Sequence, residues 1–268
     1  MRSMKKWAFS LLIALAVLGF AGCTKSPERK GPPALVVGMD LSYPPFETID
    51  AQGHPSGISV DLAKALGEYL HRPVRIENIP FTGLIPSLLT GKIDLIISSM
   101  TDTPERRKTI GFSEPYLTIG LAALAGKNAS LTSSRQLNSP GCTIAVRQGT
   151  TAQTWTQEHL KQAKVLVLYK ESSAVLEVIQ GKADAFLYDQ MSIWKNHQEH
   201  PTETMALLDP IQTEHWAIGL RPDDTALRDG VNAFLKSFRT SGGFDRLGNQ
   251  YLKDQKEAFA KAAIPFYF

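Results

Sequence analysis

The chain has 268 residues, 43% of them hydrophobic and 21% charged, with a formal net charge of +3. That composition excludes a disordered chain and gives room for one large or two modest globular domains. Arg2, Lys5 and Lys6 carry the only charges in residues 1–22, so beyond them 26 basic residues face 26 acidic ones, with no global attraction for nucleic acid.

Residues 1–6 are basic, residues 7–20 form an apolar run of signal-peptide length, and Ala21 and Gly22 then precede Cys23. That order is a secretory signal, and the run is short of the roughly 20 apolar residues a membrane span needs. A cysteine directly after the small pair resembles the bacterial lipobox, in which the thiol is acylated and becomes the new N-terminus. Residues 1–22 are therefore expected to be a lipoprotein signal peptide, and 23–33, polar with three prolines, a tether. The mature chain is expected in the periplasm or on the outer face of a bacterial membrane, held there by lipid. Two cysteines are too few for a disulfide scaffold or a cysteine-rich zinc site. With Cys23 acylated, Cys142 has no partner and reads as a small buried side chain.

From residue 34 onward, short apolar strands alternate with amphipathic helices, the α/β signature. Residues 35–39 predict a strand, and 60–70 a helix with Val60, Ala63, Leu66, Gly67 and Leu70 at helical spacing. A half-buried strand at 74–78 and a helix at 84–89, stopped by Gly91, follow. Residues 93–97 are apolar apart from Asp94, as in a strand covered on both faces. The plan then repeats: strand 142–146, helix 151–160, strand 165–169, a helix capped by Ser172 and running to Gly181, and strand 183–187. Gly91-Lys92-Ile93-Asp94 returns as Gly181-Lys182-Ala183-Asp184, each at a helix stop before a buried strand. Two similar lobes are the better account of that match, and two cores suit the mature length.

A strand-like segment at 214–220 precedes a long amphipathic helix at 225–240. Gly242-Gly243 breaks it before a last helix at 244–252. These helices have no strands of their own and are expected to pack on the first lobe. Lobe 1 would be discontinuous, 34–119 plus 216–268, and lobe 2 would be 120–215. The chain would cross between them near 118–121 and near 213–217. A double crossing makes a hinge, and a cleft must lie between the lobes.

In open α/β sheets, ligands bind beyond the carboxyl ends of the strands. Those ends carry the segments 40–47, 98–106 and 147–151 and the pair Tyr188-Asp189, with Phe81 in the loop before the helix at 84. Arg106 offers a bidentate fork for a carboxylate, which lysine cannot reproduce. Thr103 and Pro104 read as an N-cap and first helical position, so free backbone N–H groups lie nearby; Gly149-Thr150-Thr151 offers the same device from the other lobe. Asp189 can take an ammonium, helped by the Ser99 and Thr101 hydroxyls. Three or four such bonds, at roughly 1.5–3 kcal/mol each, suffice for about micromolar binding of an amino acid.

Each residue also has a blander reading. Glu105-Arg106-Arg107-Lys108 alone would be a solvated helix face, and Asp40 or Asp189 alone a loop-turn or N-cap acid. Tyr43 and Phe81 alone would be core aromatics, and Asp94 and Asp184 read as structural. No phosphate loop, Gly-x-Ser-x-Gly elbow or His-Glu-x-x-His motif is present, and the six histidines are scattered. No metal and no cofactor is expected.

Taken in order, several motifs resemble family 3 of the solute-binding proteins, the polar amino-acid receptors of bacterial ABC importers, over roughly residues 35–252. They are Asp-x-x-Tyr-Pro-Pro-Phe-Glu at 40–47, Gly57-x-x-Val60-Asp61-Leu62-Ala63, Leu84-Ile85-Pro86-x-Leu88 and Gly91-Lys92-Ile93-Asp94. The most specific stretch is Ile97-Ser98-Ser99-Met100-Thr101-x-Thr103-x-x-Arg106 with Phe112-Ser113-x-Pro115-Tyr116.

The resemblance implies a two-lobed, type II periplasmic-binding-protein fold, each lobe a mixed sheet flanked by helices. It implies a monomer that closes on a small-molecule amino acid and delivers it to a membrane permease. Arg106 would hold the α-carboxylate with Thr101 and Thr151, and Asp189 the α-ammonium, with Ser98, Ser99 and Thr150 completing the site. Tyr43 and Phe81 would wall the ligand side chain, Phe46 would pack behind, and Asp40 and Arg147 would face its distal end. Aspartate at 40 suits a cationic or amide-bearing ligand, whereas arginine at 147 resembles glutamine-type receptors. A neutral or amide side chain such as glutamine is therefore expected first, and a basic one such as arginine or lysine next. The competing expectation is an exported enzyme of the same fold, akin to cyclohexadienyl or arogenate dehydratases. That reaction needs a general acid in the cleft. Strand ends supply few candidates, Glu47 and Glu171.

Overall fold

A computed structural model of the chain describes residues 32–261 and residue 264. The predicted signal peptide, Cys23 and nearly all of the tether lie outside the described residues. The chain enters β1 (Leu35–Met39), then a short hairpin of β2 (Thr48–Ile49) and β3 (Pro55–Ser56). Next come α1 (Ile58–Tyr69), β4 (Val74–Asn78), α2 (Phe81–Leu89), β5 (Leu95–Ile96), the single turn α3 (Pro104–Arg107) and β6 (Gly111–Phe112). The middle of the chain forms β7 (Leu117–Gly126), β8 (Thr143–Arg147), α4 (Thr151–His159), β9 (Lys164–Leu168), α5 (Glu171–Ile179), β10 (Ala185–Asp189), α6 (Gln190–Glu199) and β11 (Thr204–Trp216). It ends in β12 (Gly219–Leu220), α7 (Thr225–Thr240), α8 (Gly243–Tyr251) and α9 (Lys253–Lys261).

Two five-stranded mixed sheets result, in the orders β4-β1-β5-β12-β6 and β11-β7-β10-β8-β9. In the first, β4, β1 and β5 run parallel and β12 is antiparallel to both its neighbours. In the second, β10, β8 and β9 run parallel, while β7 is antiparallel to β10 and to β11. The pleat sends alternate residues to opposite cores. Leu35, Val37, Met39, Leu95 and Ile97 meet α1 on one face, whereas Val36 and Ile96 meet Leu84 and Leu88 of α2 on the other. The second sheet divides in the same way, with Ala123 and Val146 on one side and Leu124 and Ala145 on the other. Val231, Phe234 and Leu235 of α7 and Phe244 and Leu247 of α8 fill the core beside α1, so the C-terminal helices pack where they were expected.

The repeated Gly-Lys-x-Asp motif has the same physics twice. Gly91 and Gly181 stop α2 and α5 at φ 74° and 69°, a left-handed conformation that glycine adopts without a Cβ clash. The aspartate that follows then pins the leading strand of its own sheet. Asp94 accepts from the Val36 N–H at 3.0 Å, and Asp184 from the Thr143 N–H at 2.7 Å.

The two predicted crossings are adjacent strands of one ladder, with Gly120 opposite Thr213 and Leu117 opposite Trp216. Three expectations need correction. The 93–97 run pairs as a strand only at Leu95–Ile96. Helix α5 opens at Glu171 with Lys170, not Ser172, at its N-cap. Phe81 is the first residue of α2 rather than a loop residue, because Asp40 Oδ2 accepts its N–H at 2.8 Å and starts the helix three residues early. The sequence reading also missed β7, α6 and most of β11. Strand β7 is almost entirely buried and rich in alanine and glycine, so it shows neither period.

Candidate functional site

The carboxyl ends of the parallel strands in the two sheets face a common cleft. Asp40 follows β1, the 98–106 loop follows β5, Arg147 ends β8 and Asp189 ends β10. The cleft has about 480 Å³ of free space including its open mouth. Asp40, Tyr43, Phe81, Ser98, Ser99, Thr101, Arg106, Arg147, Thr150, Thr151 and Asp189 all line it. All eleven residues expected to contact ligand are thus brought to one place, from segments more than a hundred residues apart, while Cys23 lies outside the described residues. Among the described residues no group of histidines, cysteines and acids is arranged to hold a metal ion. Cys142 is buried away from this cleft, in the core of the second sheet, and burial pushes its thiol up to about 11.

Local chemistry aims each side chain. Thr103 is the N-cap of α3 and accepts from the Arg106 N–H at 3.2 Å, with Pro104 at the first helical position. That turn presents the Arg106 guanidinium, which donates from Nη1 to the Thr101 carbonyl at 2.7 Å and from Nη2 to the Gly149 carbonyl at 3.1 Å. Thr150 likewise caps α4. Phe81 lies between two cations, its ring centroid 5.6 Å from the Arg106 guanidinium carbon and 5.7 Å from that of Arg147. Tyr43 stacks on Phe46 with centroids 5.4 Å apart, and Trp216 meets both rings edge-on.

Three contacts span the cleft. The Tyr43 hydroxyl donates to Asp189 Oδ1 at 2.7 Å, Arg106 reaches Gly149, and Arg147 forms an ion pair with Asp40. The Asp40–Arg147 pair is nearly dry, its side chains 13% and 6% exposed. Arg147 Nη1 also donates to the Tyr188 hydroxyl at 3.3 Å, and its Nε, buried, has no partner among the described residues.

Burial sets the charge states. It pushes the Asp189 carboxyl up to about 7, although the Tyr43 hydroxyl and the Ser192 N–H both favour its ionised form. Burial also pushes Glu47 up to about 8, against three donated hydroxyl hydrogen bonds from Ser59, Ser98 and Ser99. Arg106 has its pKa lowered by burial, yet a guanidinium stays charged. The cleft therefore combines fixed cations with acids that burial holds toward the neutral form.

Six further residues line the cleft without having been singled out as ligand contacts: Glu47, Leu121, Ala152, Tyr188, Glu214 and Trp216. Glu214 is buried and accepts from the Thr101 hydroxyl at 2.9 Å and from the Gln212 side chain at 3.0 Å. Glu214, Trp216 and Leu121 come from β11 and β7, the strands that carry the crossings, so their place depends on pairing that no local motif encodes. Glu47 had a local signal, since it ends the 40–47 motif. Of the two general-acid candidates, Glu47 lines this cleft, and Glu214 adds a carboxylate from within β11 rather than from a strand end. Glu171, the other candidate, turns away to accept from Ser192 at 2.6 Å and from Asn196 at 2.9 Å on α6.

The sequence profile of the bacterial extracellular solute-binding proteins, family 3, matches residues 35–254. The chain is 29% identical over 255 residues to ABC transporter arginine-binding protein 1 of Escherichia coli K12, covering 92% of this chain and 99% of that protein. Among solved structures it is similar to a putative binding component of an ABC transporter from Wolinella succinogenes, complexed with lysine. That likeness has 30% identity and a TM-score of 0.78, over 83% of this chain and 97% of the other. The ancestral amino acid-binding protein AncCDT-1, a precursor of cyclohexadienyl dehydratase, is 34% identical with a TM-score of 0.75, over 81% and 95% of the two chains.

Proposed function

Because the chain belongs to family 3 of the bacterial extracellular solute-binding proteins, we propose that it captures a polar L-amino acid outside the cytoplasm and hands it to an ABC importer permease. The observation that carries this reading is the meeting of Arg106 and Asp189 in one buried cleft, a fork for a carboxylate and an acid poised for an ammonium. Arg106, Thr101 and Thr151 would hold the α-carboxylate, and Asp189 with Ser99 the α-ammonium. Tyr43 and Phe81 would wall the side chain, with Ser98 and Thr150 completing the site. We read residues 34–119 plus 216–268 as one lobe and 120–215 as the other, closing as a hinge when ligand bridges them. In this reading the protein is a monomer held to the membrane through a lipid on Cys23, and it performs no reaction.

For the side chain, the Asp40–Arg147 pair supports a neutral amide such as glutamine. An amide accepts from a guanidinium and donates to a carboxylate, so it joins that pair without adding charge. A cationic side chain would place a third charge beside Arg147 in a nearly dry pocket, an arrangement that costs several kcal/mol unless Arg147 withdraws. Arginine is the second reading, favoured by the arginine-binding relative and the lysine complex. A thermal-shift screen of the purified protein against the polar amino acids tests both. Arg106→Ala should abolish the ligand-induced shift with the unliganded melting temperature nearly unchanged. Wild-type affinity in that variant would refute the carboxylate role. Formation of an aromatic product from prephenate or arogenate would refute the assignment as a receptor in favour of a dehydratase.

A further inference from the structure

Glu47 is a buried cleft carboxylate, 1% exposed, that the ligand contacts above leave unused. Among the described residues no lysine, arginine or histidine accounts for it; its hydrogen-bond partners are three hydroxyls. Ser59 donates to Oε2 at 2.6 Å, Ser99 to Oε2 at 3.1 Å and Ser98 to Oε1 at 3.3 Å. Burial favours the neutral acid, but an ammonium entering the cleft favours the ionised form; once ionised, Glu47 only accepts, so each serine then commits its single hydroxyl proton to it. Ser98 Oγ then accepts from the Asp40 N–H at 2.9 Å, and Ser59 lies on α1, outside the cleft lining. Of the three, Ser99 is the one at the cleft wall whose hydroxyl oxygen accepts from no donor among the described residues, so both its lone pairs are on offer. Its backbone is also held at φ 48°, in the left-handed region that costs a non-glycine residue about 1–2 kcal/mol. Strain of this kind persists only where the surroundings over-determine it, and it clusters at ligand clamps.

We propose that Glu47 is a positioning residue for the ammonium end of the ligand: it locks the Ser99 hydroxyl as a pure acceptor, a second anchor beside Asp189. The inference rests on the amino-acid reading given above. Glu47→Gln tests it with little change of shape, because a carboxamide donates to Ser99 Oγ and frees the Ser99 proton to face the ammonium. Affinities are measured by calorimetric competition for L-glutamine and L-arginine, each against its des-amino analogue, glutaramate and δ-guanidinovalerate. Wild type should prefer the amino acid. In Glu47→Gln that preference should fall roughly tenfold, with affinity for the analogue changed by less than about twofold. An equal loss for amino acid and analogue, or no loss, overturns the proposal. Should Glu47→Gln fail to melt cooperatively, Ser99→Ala, which retains Glu47, must show the same fall in preference; an unchanged preference there overturns it too. A wild-type protein that binds neither amino acid refutes the receptor reading first, and this proposal with it.

Discussion

Acidification offers the most direct trial of the charge arrangement in the cleft. Burial holds Asp189 at about 7, while an ammonium requires the carboxylate. About nine-tenths of the molecules carry that carboxylate at pH 8 and about one-hundredth at pH 5. Apparent affinity scales with the competent fraction, so capture should weaken roughly ninetyfold across the interval, about 2.7 kcal/mol. Glutamine and arginine keep their own charges over this range, so the slope belongs to the protein. Glu47, pushed up to about 8, acts in the same direction. Calorimetry between pH 5 and 8, in two buffers of different ionisation enthalpy, reads both affinity and protons. At least about one proton per ligand should leave the protein near pH 6, and Asp189→Asn should bind weakly with a much shallower profile. Affinity constant within about twofold from pH 5 to 8, with the protein folded throughout, would refute the reasoning.

Three other outcomes follow from the same structure. Arg147→Ala releases Asp40 from its ion pair and should raise the preference for arginine over glutamine at least about tenfold in a competition assay; an unaltered ratio would remove both residues from the distal subsite. Unliganded stability should fall as pH rises. The raised pKa values of Asp189 and Glu47 mean that the folded state binds more protons than the unfolded one, so their contribution is full below about pH 4 and lost through pH 7 to 8. Thermal melts across that range should show the decline, and Glu47→Gln should flatten it; a stability that rises from pH 5 to 8 contradicts the assignment. Gly57→Ala should destabilise by about 2–4 kcal/mol, since its φ is 115° and a Cβ would lie 2.5 Å from the Phe46 carbonyl oxygen and 2.6 Å from that of Pro45. Gly53→Ala, at φ 86° with open space around it, should cost only about 1 kcal/mol. Equal melting temperatures for the two variants would show that the close approach at Gly57 is not limiting.

The parts of this molecule that were legible in its sequence are those in which one short segment carries its own instruction. Short, mostly apolar runs became the inner strands β1, β8 and β10, the last shifted two residues to Ala185–Asp189. Gly91 and Gly181 marked helix stops because a left-handed turn prefers glycine, and the aspartates after them served as internal pins. The strand-end loops led to the cleft because an α/β sheet gathers such loops at one edge. What escaped detection depends on distant pairing. Strand β7 lacks the bulky alternation of an ordinary strand, since Gly120 must admit the Gln190 side chain, whose Oε1 would lie 2.6 Å from any Cβ there. Glu214 and Trp216 reach the cleft only because β11 runs beside β7 with a register shift between Leu207 and Gln212. Phe81 joined a helix because a carboxylate forty-one residues earlier supplied the missing acceptor.

The bonds strung across the mouth of the cleft give capture the character of an exchange. Tyr43 is a tenant on Asp189, and Gly149 is one on Arg106; an arriving zwitterion must evict both before it gains their hosts. The measured affinity is therefore a difference between two sets of bonds. A receptor of this design is tuned as readily by loosening its sitting occupants as by adding new grips, and a phenylalanine in place of Tyr43 would leave Asp189 waiting for its guest.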